Sequence, residues 1–218
     1  MTTGFKMPVE IPGAPERVTL GQLVSDGMAL FRTGLDILQR KPGVYEAEVN
    51  QATWWRFWLI VGIGSVIIAI ANVLVSVLLD ARFGGRLNVV GLIIALIVGI
   101  PFAAIALYAA AYVSHQYATK QSSEPVPLAK HAYTVAVVVM PANVIASLVA
   151  LVVGLFAFGL GSLISLVVSL YALLVTVDGF QMVYKFDRNK AWITAVIMIV
   201  TSIVATLVLG AIVGVLIR

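Results

Sequence analysis

Apolar positions in this chain come in long blocks. No charged residue falls between Phe57 and Leu79, and none in the forty-six residues from Ala132 to Val177. A helix needs about 20 apolar residues to cross a bilayer, at about 1.5 Å of rise each. As one helix, the second block would be about 70 Å long, over twice the hydrocarbon thickness, so it must fold back. Gly154, Gly159 and Gly161 place that turn near residues 155–161. The pattern predicts five membrane spans, at about 54–79, 89–113, 132–155, 162–184 and 191–217. Trp54, Trp55 and Trp58 open the first span, where indole rings anchor at headgroup level. Pro101 and Pro141 lie inside the second and third spans and are expected to kink them. The polar stretch from Tyr112 to Thr119 is expected to emerge from span two into the interface.

The first fifty residues follow a different pattern. Residues 1–18, with Pro8, Pro12 and Pro15, read as a flexible tail. Within 19–53, Leu20, Leu23, Val24, Met28, Phe31, Leu35 and Leu38 recur at steps of three and four, with Asp26, Arg32, Asp36 and Arg40 off that stripe. This predicts an amphipathic helix ending before Pro42. It would lie on the cytoplasmic leaflet or dock against the bundle. Gly27 and Gly34 are expected to weaken it in isolation. No early apolar core marks a cleavable signal, so span one is expected to act as an uncleaved targeting segment.

Composition agrees with the blocks. Apolar residues make up 61% of the chain and charged residues 11%, with a mean hydropathy of +1.05. Soluble domains carry about a quarter charged residues, so too few remain here to cover a wet surface. Five spans put eleven Lys and Arg on one side and only Arg82, Arg86 and Arg218 on the other. Basic residues in short segments stay cytoplasmic, which places the N-terminus inside and the C-terminus on the opposite side. Four spans would send the basic segment Lys185 to Lys190 outside. The net charge of +4 fits loops beside anionic lipid, and no basic cluster interleaved with aromatics points to nucleic acid. Cysteine is absent, which removes disulfides, thiolate chemistry and thiolate-bound metals.

The layout carries short patterns: Lys41-Pro42-Gly43-Val44-Tyr45 ahead of Trp54 and Trp58, His115 closing span two, Ala132-Tyr133-Thr134 followed by Pro141, then Gly179-Phe180-Gln181-Met182-Val183-Tyr184 and Lys190-Ala191. In order and spacing these resemble the Yip (Ypt/Rab-interacting protein) domain family over roughly residues 20–218, as a prokaryotic-type member. The resemblance implies five spans, a cytoplasmic N-terminus and a place in the cytoplasmic membrane. It also implies a non-enzymatic role in membrane organisation or trafficking. In eukaryotes that role runs through small GTPases and membrane partners; for bacterial members it implies no settled activity.

Candidate chemistry is sparse. Asp178, inside span four, costs about 1–3 kcal/mol at membrane depth unless paired or hydrated. Its expected partners are His115, Arg56, Lys130 and His131, which together would form a polar cluster at the cytoplasmic mouth. That cluster could be a vestibule for a small transporter or channel, or a structural ion pair. Ser162, Ser165, Ser169 and Thr176 share one helix face and suit close packing, as do Gly210 and Gly214 in a GxxxG pattern. Asn72 and Asn143 read as hydrogen-bonding contacts between helices. Ser114 and His115 cannot work with Asp178 as a triad, because adjacent helix residues face apart. No catalytic, metal or cofactor site is expected. The expected partners are the bilayer and other membrane proteins, in a heteromeric complex or a homo-oligomer, and an accessory subunit of a larger complex is a further possibility.

Overall fold

A computed structural model describes residues 18–83, 89–154 and 158–216. Among them are seven helices: α1 (Leu20–Leu38), α2 (Val44–Val49), α3 (Trp54–Phe83), α4 (Val89–Gln121), α5 (Leu128–Gly154), α6 (Phe158–Tyr184) and α7 (Arg188–Leu216). The last five are each long and apolar enough to cross a membrane, so the chain is an integral multi-pass membrane protein. Residues 1–17 of the predicted tail, residues 155–157 of the predicted turn and Arg218 lie outside the described residues, while residues 158–161, also expected in the turn, already belong to α6. Helix α4 continues to Gln121 without leaving helical form at Tyr112, and α3, α5, α6 and α7 each begin or end a few residues beyond the predicted spans. Pro101 and Pro141 sit within unbroken α4 and α5.

The five long helices form a ring. Neighbours around it are α3, α4, α7, α6 and α5, and α5 also reaches across to α4. Half of the apolar window of α5 is buried against 11% for α7, so α5 is the hub and α7 faces mostly outward. Lipid offers no hydrophobic drive for helices to associate, so close packing of small residues has to supply the attraction. The ring follows that rule: Ala110, Ala111, Ala118, Ala132, Ala191 and Ala195 are completely buried where helices meet. Phe57, Ile60, Tyr133 and Phe180 fill the remaining space at the end of the ring where α1 docks.

Helix α1 starts where it does because Thr19 and Gln22 cap it reciprocally. The Thr19 hydroxyl accepts from the Gln22 N–H at 3.2 Å, and the Thr19 N–H donates to Gln22 Oε1 at 3.0 Å. The face it buries coincides only in part with the predicted stripe, of which Leu38 is buried and Leu23 and Leu35 are partly buried against the core. Gly27, Leu30, Gly34, Ile37 and Leu38 are inside, while Leu20, Val24 and Met28 remain exposed. The reason is backbone approach. A Cβ at Gly34 would lie 2.5 Å from the Val137 carbonyl oxygen and from Pro141 Cγ, and one at Gly27 would lie 1.7 Å from Ile63 Cδ1. The two glycines expected to weaken the helix are the points at which α3 and α5 receive it.

The segment after α1 is clamped as well. Tyr171 of α6 donates to the Leu38 carbonyl at 2.6 Å, satisfying one of the free carbonyls at the helix end. Arg40 (φ 54°) and Gly43 (φ 73°) take left-handed backbone and turn the chain into α2. Tyr45 of α2 then inserts beside Gly179, where a Cβ would lie 2.0 Å from the phenol oxygen.

Candidate functional site

Polar side chains gather in two places: a set of buried networks at the α1 end, and a crevice along the axis of the ring toward the other end. The five residues expected to form one cluster are divided among separate networks. His115 and His131 come together. Tyr184 Oη lies 2.7 Å from His115 Nδ1 and 2.8 Å from His131 Nδ1, and His131 Nε2 lies 2.8 Å from Ser114 Oγ. The Ser114 hydroxyl donates to the Ala110 carbonyl at 2.7 Å, so it accepts from His131. His131 Nδ1 is then a bare acceptor that takes the Tyr184 proton, and His115 Nδ1–H donates to Tyr184. One proton arrangement satisfies every member and ties α4, α5 and α6 together. His131 is completely buried and stacks on Phe180 at 4.8 Å between ring centroids.

Arg56 belongs to a second network, with Glu48 and Tyr133. Its Nη1 lies 2.8 Å from Glu48 Oε1, and Tyr133 donates its phenol proton to the same oxygen. Nη1 is off the hydrogen-bonding line to that oxygen, so the attraction is mainly between charges. Glu48 is only 7% exposed, which makes this pairing necessary rather than incidental. Lys130 stands apart, donating to Asn50 Oδ1 at 3.1 Å.

Asp178 pairs with Arg40 at 3.1 Å, a partner from the turn after α1 that sequence pattern alone did not suggest. Both side chains are about half exposed, so the carboxylate avoids the full cost of membrane burial. Arg40 also lies over the Tyr171 ring at 5.8 Å. Neighbouring Tyr45 donates to the Thr134 carbonyl at 3.2 Å, and burial, with the charge of Asp178 adding, pushes its phenol pKa up.

The second place is a cavity of about 660 Å³ between all five long helices. Ser65, Asn72, Asn143, Ser147, Ser165 and Ser202 are among its lining residues, interleaved with alanine, valine and isoleucine. Among the described residues none of its lining carries a charge, and Asp178 does not reach it. Asn72 and Asn143, expected to bond between helices, both face this space, and their side chains make no hydrogen bond among the described residues.

The packing residues divide too. Ser165 donates to the Ala146 carbonyl at 3.3 Å and the Gly161 carbonyl at 2.9 Å, joining α6 to α5. Ser162 and Ser169 are exposed, and Ser169 donates to its own helix at Ser165. Gly210 is exposed and meets no close helix contact among the described residues, and the surroundings of Gly214 lie outside the described residues. Trp54 and Trp58, both partly buried, pack on Phe57 and Tyr108, and Trp55 lines a smaller cleft of about 430 Å³ with Asp26 and Thr33. Compared with known proteins, the chain matches no family model, no curated protein and no solved structure.

Proposed function

We propose that this protein is a non-enzymatic membrane scaffold of Yip type, holding partner membrane proteins in membrane organisation or trafficking. Its α1 end would face the cytoplasm, most simply at the cytoplasmic membrane of a prokaryote. The observation that carries this reading is the docking of α1. The helix is held by Gly27 and Gly34 on one face and by Tyr171 at its end, and it presents Leu20, Val24 and Met28 outward. A helix fixed in that way offers a preformed surface, so little ordering entropy opposes binding to it.

Transport is the weaker reading for the α1 end. Passage there would have to break the network of Ser114, His131, Tyr184 and His115 and the packing around completely buried Tyr133. The test is a photo-crosslinking amino acid at Val24 or Met28, followed by gentle-detergent purification and mass spectrometry. The scaffold reading expects one stoichiometric membrane partner, lost when Val24 is replaced by Glu. A chain that purifies alone and conducts a solute in proteoliposomes would overturn it.

A further inference from the structure

The axial cavity has a chemistry that the scaffold reading does not use. Membrane helices hide hydroxyl and amide groups against one another, because an unsatisfied polar group in hydrocarbon is costly. Here they converge on space instead. Asn72 of α3 and Asn143 of α5 bring two complete amides, each with donors and acceptors, to one cavity. Ser147 of α5, Ser165 of α6 and Ser202 of α7 add hydroxyls from three sides. Ser65 lines the same cavity and is 4% exposed, and its hydroxyl has no hydrogen-bond partner among the described residues. A buried hydroxyl without a partner marks an interaction completed by something else.

Position narrows what that is. Ser65 lies eleven residues into α3, about 16 Å along the helix, and Asn72 about 27 Å. The lining starts at the level of Ser65, Leu107 and Met140, next to the positions Ile63 and Pro141 that receive α1, and runs on to Ser76, Gly99 and Ala150. The cavity therefore extends from the middle of the bundle toward the far ends of α3 and α5. Its donors and acceptors are uncharged and set among apolar walls, so no side chain of the lining, among the described residues, neutralises a charged headgroup. It fits the ester and hydroxyl neck of an uncharged lipid, with acyl chains along the alanine and isoleucine positions. We propose that the crevice binds an uncharged glycerolipid of the diacylglycerol class through Asn72, Asn143 and Ser65. This inference stands apart from the scaffold reading, since it concerns the interior cavity and not the exposed face of α1.

The test uses the full chain in nanodiscs carrying a photoactivatable diacylglycerol, with the matching phosphatidylglycerol as an anionic control. Labelled peptides should map to α3 and α5, with the anionic probe labelling them more weakly. The Asn72→Leu, Asn143→Leu double variant should lose labelling about tenfold, the effect of one to two net hydrogen bonds. Neither side chain is buried, so the fold should survive. Ala103→Phe, at an exposed lining position of α4, should block the crevice sterically and give a similar loss without touching a polar group. Labelling that is equal for both lipids, or unchanged in both variants, overturns the proposal. So does labelling abolished by free glycerol, which would assign the site to a soluble polyol instead.

Discussion

Gly34→Ala isolates the contact that holds α1 in place. In an exposed helix this change stabilises by up to about 1 kcal/mol, because alanine has the better helix propensity. At Gly34 the new methyl carbon would meet the Val137 carbonyl oxygen and Pro141 Cγ, both at 2.5 Å. Neither can swing away, since one is backbone and the other a ring fixed to it. Overpacking of this kind costs about 1–3 kcal/mol, with contact against two rigid atoms belonging at the upper end. Subtracting the propensity gain leaves about 2 kcal/mol against docking, which is about thirtyfold in the opening equilibrium of α1. Trypsin reads that equilibrium directly, because Arg32 lies within α1 and is protected only while the helix stays folded and docked. Cleavage after Arg32 should accelerate in Gly34→Ala by about that factor. Gly21→Ala is the control, because a Cβ there meets nothing nearer than Thr19 Oγ1 at 4.0 Å. It should leave cleavage unchanged or slow it. If Gly34→Ala is cleaved no faster than Gly21→Ala, the glycine-mediated docking of α1 is wrong.

Three further substitutions probe the polar networks. Tyr184→Phe removes the hydroxyl shared by His115 and His131 and leaves two buried ring nitrogens unsatisfied, so thermal unfolding in detergent should show a loss of about 1–3 kcal/mol; an unchanged Tm would mean the network contributes nothing. Glu48→Gln keeps the shape but strips the countercharge from Arg56, and should destabilise by about 2 kcal/mol, with restoration in the Glu48→Gln, Arg56→Gln double variant as the diagnostic result. Asp178→Asn breaks a half-exposed pair with Arg40 and should cost no more than about 1 kcal/mol, reduced further by salt; a severe folding defect would show that the carboxylate is more deeply engaged than its exposure implies.

Hydropathy alone determined the membrane class, the five spans and the fold-back between α5 and α6. A block of forty-six uncharged residues has no other physical solution in a bilayer. The end of α1 before Pro42 was equally legible, because proline restricts the residue before it. The face by which α1 docks was not. Periodicity counts side chains by their affinity for an apolar phase, and in a membrane protein the surface facing lipid is as apolar as the interior. Of the predicted stripe, Leu20, Val24 and Met28 therefore face outward while Leu23, Leu35 and Leu38 pack inward, and the closest approach is made at glycines that hydropathy scores as nearly neutral. The partners of Asp178 and Arg56 depended on the short α2 and the left-handed turn at Arg40, which bring residues from before the first span against α5 and α6. Asn72 and Asn143 stood out one at a time along the chain, whereas nothing in the sequence distinguished Ser65. Only the tertiary structure decided that they share one space, because that depends on the rotation of α3 and α5 about their own axes, which local sequence leaves free.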